Sequence, residues 1–111
     1  MSYASKMYPI NFADPKEAEN QLNAILAKVE KFVGYNIVNN GHNSSIIIFT
    51  DAESEADEVK PQVKIVSYSI TNTEEAEKAI NEALKDIEPI RLDVATPIDG
   101  NRLIILYDTA E

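Results

Sequence analysis

The side chains able to do chemistry in this chain are few and scattered. His42 is the one histidine, set in a polar segment, Asn40-Gly-His-Asn43, with no serine or acid at a spacing that would orient it as a base. It reads as a solvated turn residue. Asp51, Glu53, Glu55 and Asp57 alternate as the first ligands of a calcium loop do, but Ala56 and Gln62 stand where that loop needs its glycine and its bidentate glutamate. Those acids read as a solvated connector. Asp51 and Asp108 end two similar apolar runs, and a twofold arrangement bringing them together would raise one pKa and support acid–base work or a shared metal. The simpler expectation is two solvated strand-end carboxylates. Tyr35, Tyr68 and Tyr107 lie on expected strands and, with Asn43 and Arg102, could line a pocket that stacks a base or nucleoside. Arg91 and Arg102 are the only arginines, so an anionic ligand would use one of them. Core packing is the plainer role for the tyrosines. Without a glycine-rich phosphate loop, a nucleophile elbow or any cysteine, the sequence supports no enzyme, no cofactor and no metal site.

The elements that would position these residues come in two similar sets. Aligning the chain with itself at a spacing of 58 matches Lys6–Glu30 to Lys64–Glu88 without a gap. Seven pairs are identical, among them Glu17/Glu75, Glu19/Glu77, Asn23/Asn81 and Leu26/Leu84. One deletion near Val33 changes the spacing to 57 and places Ile46–Asp51 on Leu103–Asp108. Each set opens with a period-2 strand, Tyr8, Ile10, Phe12 or Val66, Tyr68, Ile70. A helix follows, announced by Asp14-Pro-Lys-Glu17 or Asn72-Thr-Glu-Glu75, each a capping side chain with glutamate at N3. Apolar residues then recur at helical spacing up to Gly34 or Pro89, read as helix ends, and a short strand, a turn and a fully apolar strand complete the set.

The expected fold is α+β: one domain over 1–111, made of two tandem pseudo-symmetric βαββ repeats, 6–51 and 64–108, joined by an acidic connector over 52–63. Antiparallel sheet carries the helices on one side. The expected core is Ile10, Phe12, Leu22, Leu26, Val29, Ile47 and Phe49 with Ile70, Ile80, Leu84, Ile87 and Ile105. Continuous apolar strands imply burial on both faces. Either two sheets close on each other, or one sheet meets another subunit, and a homodimer is expected.

Composition and charge bound the function. The chain has 111 residues, 44% of them apolar, enough for a core without staples. A chain of this mass folds to about 6,100 Å² of accessible surface from about 17,800 Å² extended. No apolar run is long enough to span a membrane, and the first residues lack the apolar segment of a signal peptide, so a cytoplasmic location is expected. The net charge of −9 opposes direct binding to nucleic acid or anionic lipid and suits a basic protein surface. Residues 51–60 and 72–90 carry −4 each, whereas the first helical segment is nearly neutral. The expected docking residues are therefore Asp51, Glu53, Glu55, Asp57 and Glu58 with Glu74, Glu75, Glu77 and Glu82. The leading reading is a non-catalytic interaction protein; the alternative is a small-ligand or nucleotide-sequestering module using the tyrosine set.

The second set, Lys64-Ile-Val-Ser-Tyr-Ser69, Glu74-Glu-Ala-Glu-Lys-Ala-Ile-Asn-Glu-Ala-Leu84, Ile90-Arg-Leu-Asp-Val94 and Leu103-Ile-Ile-Leu-Tyr107, resembles small acidic βαββ proteins of spore-forming bacteria and their phages. The resemblance runs from Lys64 to Tyr107. It implies a family of single units without catalysis, duplicated here, and carries over no functional residue.

Overall fold

In the computed structural model the chain is α+β, with two helices and two separate three-stranded antiparallel sheets. The structure describes residues 2–40, 43–53, 60–97 and 100–108. The first half contains β1 (Tyr3–Pro9), α1 (Pro15–Leu26), β2 (Phe32–Asn40) and β3 (Asn43–Asp51). The second contains β4 (Pro61–Tyr68), α2 (Thr73–Leu84), β5 (Pro89–Ala95) and β6 (Asn101–Asp108). The strand orders are β1-β3-β2 and β4-β6-β5.

Local chemistry sets the element boundaries. Asp14 and Asn72 each accept a hydrogen bond from the N3 amide, Glu17 N and Glu75 N, both at 3.2 Å. Pro15 takes a helix-start position that asks for no N–H. The helices end earlier than Gly34 and Pro89 suggest. Lys31 and Asp86, at φ 58° and 62°, adopt left-handed backbone between each helix and its next strand, a conformation uncommon outside glycine. Gly34 and Pro89 instead belong to β2 and β5. Each of these strands has a register shift at the matched place, around Val33 and around Ile90. Phe32 opposite Thr50 matches Pro89 opposite Tyr107 at the spacing of 57, so the one-residue length difference falls before Phe32 rather than near Val33.

The first strand also stops sooner than its alternation predicts. Ile10 and Phe12 lie beyond β1, buried in the core, with Ile10 N donating to Ser44 O at 2.9 Å. A large core cluster joins Leu22 and Leu26 of α1 to Ile46, Ile48 and Tyr35 of the first sheet and to Val63, Ile104 and Leu106 of the second. A smaller cluster joins Ala83, Ile80 and Leu84 of α2 to Leu103 and Ile105, on the opposite face of β6. The helices therefore do not gather on one side: α1 is shared between the sheets, and α2 covers the second sheet's far face.

This layering revises the expected core. β6 is buried on both faces, as its apolar run predicts, but β3 buries Ile46 and Ile48 while Ile47 and Phe49 are only half-covered. Ile70 is exposed, and Ile80, Leu84 and Ile87 are half-buried. The cause is that α1 and the second sheet cover only one face of the first sheet, and nothing described covers the other. Accessible surface is 7267 Å², well above the about 6,100 Å² usual for this mass.

Candidate interaction site

The two halves are held together by polar side chains aimed at backbone. β4 is an edge strand, and an edge leaves N–H and C=O groups unpaired. Asn23, on the flank of α1, answers both groups of one residue: its Nδ2 donates to Val63 O at 3.1 Å and its Oδ1 accepts from Val63 N at 2.7 Å. One turn earlier, Glu19 Oε1 accepts from Ile65 N at 2.8 Å, while its other oxygen lies 3.5 Å from Lys16 Nζ. Helical spacing of four brings the two side chains onto one line, and strand spacing of two presents the matching outward groups.

Two arginines complete the joint. Arg102, buried, donates from Nε to Phe12 O at 2.9 Å and from Nη2 to Ala13 O at 3.2 Å, covering carbonyls that precede α1. Arg91 stacks 4.7 Å over the Tyr35 ring, donates to Tyr35 O, and reaches Asn36 Oδ1 at 3.0 Å. Asp93 holds Arg91 from the other side at 2.7 Å. Burial, reinforced by the Asp93 carboxylate and opposed by Arg91, pushes the Tyr35 hydroxyl well above the usual phenol range.

The expected ligand set does not converge. Tyr35 is in the large cluster, Tyr68 and Tyr107 are in the small one across the second sheet, and Asn43 is exposed at the start of β3. Tyr107 donates its hydroxyl to Gln62 Oε1 at 2.9 Å, and Arg102 is engaged with carbonyls. These are packing and positioning roles.

Asp51 and Asp108 serve two separate locks, one per sheet. Asp51 Oδ1 accepts from Ser2 N at 2.9 Å and Glu53 N at 3.1 Å, and Asp108 Oδ1 accepts from Lys60 N at 3.0 Å. Asp51 is covered by its immediate neighbours, so it is not the exposed docking acid expected of it. The Ser2 hydrogen bond holds its carboxyl below the ordinary range against the effect of burial, with Glu53 N and the N-terminal charge adding to the lowering.

Glu74, Glu75, Glu77 and Glu82 are exposed along α2, and Glu75, Lys78, Ala79 and Glu82 line a shallow, open depression. Glu53 is exposed; Glu55, Asp57 and Glu58, like His42, lie outside the described residues. Glu19 and Asn23 make contacts that the sequence pattern did not single out, and Arg91, expected as a ligand for an anion, is engaged with Tyr35, Asn36 and Asp93 instead. Their signal was present in Glu19/Glu77 and Asn23/Asn81, identical polar pairs on a helix flank that no apolar core demands. Among the described residues no helix is long and apolar enough to cross a membrane, and none of the described acids and histidines cluster as a metal site. No protein-family model, curated protein or solved structure matches the chain.

Proposed function

We propose that the two βαββ halves are equivalent, duplicated units, and that the chain is a non-catalytic, homo-oligomeric interaction protein that docks α2 on a basic surface of a partner protein. Equivalence is supported by the shared strand order, the matched register of Lys6 opposite Ile48 and Lys64 opposite Ile105, and the irregularity common to β2 and β5.

The observation that carries the docking reading is the exposed row Glu74, Glu75 and Glu82 on α2. At 100° per residue these side chains lie off the stripe of Ala76, Ile80 and Ala83 that holds the helix to its sheet. The matched positions on α1 are Lys16, Glu17 and Ala24. Both helices need an apolar stripe, but only α2 carries three acids on its outer face, where Lys78 is the one cation among them. A face of net negative charge steers a basic partner and loses strength as salt rises.

Retention on an immobilised lysine-rich peptide tests the reading. Binding should fall steeply between low and physiological salt, and Glu74→Gln/Glu75→Gln/Glu82→Gln should lose it. A control with the same net charge, Glu17→Gln/Glu30→Gln/Glu88→Gln, should keep it. Equal losses in the two sets, or binding flat in salt, would mean the charge only keeps the protein in solution.

A further inference from the structure

The equivalence of the two halves, proposed above, has a structural corollary. The Glu19–Asn23 pair of α1 grips the outward backbone of β4, whereas the identical pair on α2, Glu77 and Asn81, is exposed with no hydrogen bond among the described residues. The strand matching β4 at the spacing of 58 is β1, an edge strand as well. Ile10 N donates to Ser44 O and Ala52 N donates to Ser2 O, so even-numbered residues direct their backbone groups toward β3. The N–H and C=O of Ser5 and Met7 therefore point outward. Ser5 and Met7 are the matches of Val63 and Ile65, and they pair with Phe49 and Ile47 just as those pair with Leu106 and Ile104. The molecule thus contains one completed joint and both halves of a second, uncompleted one.

Burial carries the same message independently. Phe12 is 1% exposed and its match Ile70 is 73% exposed; Tyr35 is 1% exposed and its match Leu92 is 50% exposed. On the complementary side the order reverses: Ala95 is fully buried and its match Val38 is 44% exposed, with Met7 at 60%. Residues that the completed joint covers are bare at the matched positions of the two free faces. Large exposed apolar side chains on matched faces mark an interaction surface.

We propose that a second copy of this chain docks head to tail: α2 of one copy lies along the β1 edge of the next, Asn81 bonding the N–H and C=O of Ser5 and Glu77 accepting from the N–H of Met7. The contact uses two different surfaces, so it leaves an α2 face free at one end and a β1 face free at the other, and it closes into a ring or continues as a filament. Gly34 and Ser45 stand where the internal joint has Arg91 and Arg102, so the contact between copies lacks both arginine anchors and is the weaker, reversible joint. Glu75 and Glu82 lie off the Glu77–Asn81 line and stay free for another partner, whereas Glu74, at i−3 from Glu77, shares that line.

Sedimentation of the full chain across micromolar concentrations tests this. The mass should exceed one chain and either grow with concentration or stop at a ring. Glu77→Ala/Asn81→Ala should weaken association roughly tenfold or more, as loss of several hydrogen bonds predicts, and Glu75→Ala/Glu82→Ala should leave it unchanged. Asn81→Arg and Met7→Lys, each blocking one side, should be monomeric alone and form a one-to-one dimer when mixed. Circular dichroism verifies that each variant is folded. A monomer at every concentration, or association that survives Glu77→Ala/Asn81→Ala, overturns head-to-tail docking. So does self-association of either blocked variant. These outcomes leave the equivalence of the halves standing, and they are separate from the peptide-binding assay. If Asn23→Ala fails to loosen the internal joint, the equivalence reading itself has lost its template.

Discussion

Asn23 bonds both backbone groups of Val63, forty residues away, and so closes an open sheet edge with one side chain. An asparagine amide has a donor and an acceptor at the separation a strand residue presents, so it substitutes for a neighbouring strand over one residue. That relationship ties the helix of the first half to the sheet of the second.

Asn23→Ala removes both bonds and leaves two part-buried backbone groups unpaired. Each orphaned group costs about 1–3 kcal/mol, so the urea midpoint should drop by several tenths of a molar or more with little change in slope, given about 1–3 kcal/mol per molar for small proteins. Exchange of the Val63 amide should accelerate at the same time. An unchanged midpoint would show that water replaces the amide at no cost.

Arg91→Lys tests whether charge alone joins β2 to β5. Lysine keeps the charge but loses the planar fork that stacks on Tyr35 while reaching Tyr35 O and Asn36 Oδ1. A loss of about 1–2 kcal/mol is expected in denaturant unfolding, with Arg91→Ala costing at least as much. Equal stability of the lysine variant and the parent would make the stacking incidental.

Tyr35 governs the alkaline side. Its folded pKa is raised above its unfolded value, so the native state holds the phenolic proton more tightly. Its contribution is fully present below the ordinary phenol pKa of about 10 and is lost as pH rises beyond it. Tyr35→Phe should flatten the alkaline fall in melting temperature, read by thermal melts at successive pH values. An identical alkaline slope in the two proteins would place the sensitivity elsewhere.

Asp51 acts on the acid side with the opposite sign. Its folded pKa is lowered, chiefly by Ser2 N, so its contribution is present above the ordinary aspartate range and is lost as pH falls through the folded value. Asp51→Asn keeps an acceptor for Ser2 N without a titrating charge. The variant should show a shallower loss of stability on acidification, read by thermal melts at successive pH values; parallel curves would remove Asp51 from the acid response.

How much of this was legible in the sequence depends on how local the cause is. The capping of α1 by Asp14 and of α2 by Asn72 was legible, because an N-cap needs only its own next three residues. The apolar runs identified β3 and β6 equally well, and the matched spacing paired Ile46–Asp51 with Leu103–Asp108. The ends of β1 and of both helices were misplaced, since Ile10, Phe12 and Val29 continue a hydrophobic pattern after the backbone has left the element. There, burial against a distant sheet selects the residue type, not the local conformation.

Burial on the two faces was decided only by tertiary structure. Similar strands Ile46-Ile-Ile-Phe49 and Leu103-Ile-Ile-Leu106 end differently: the first has one well-covered face, and the second is enclosed on both. Phe12 and Ile70 occupy the same place in each half, as do Asn23 and Asn81, yet one of each pair is engaged and the other exposed. Periodicity and capping recur wherever the same residues recur, so the sequence by itself determined two alike sets of elements. Which set covers which is a relation between segments dozens of residues apart, and in one chain only one of the two possible joints has been made.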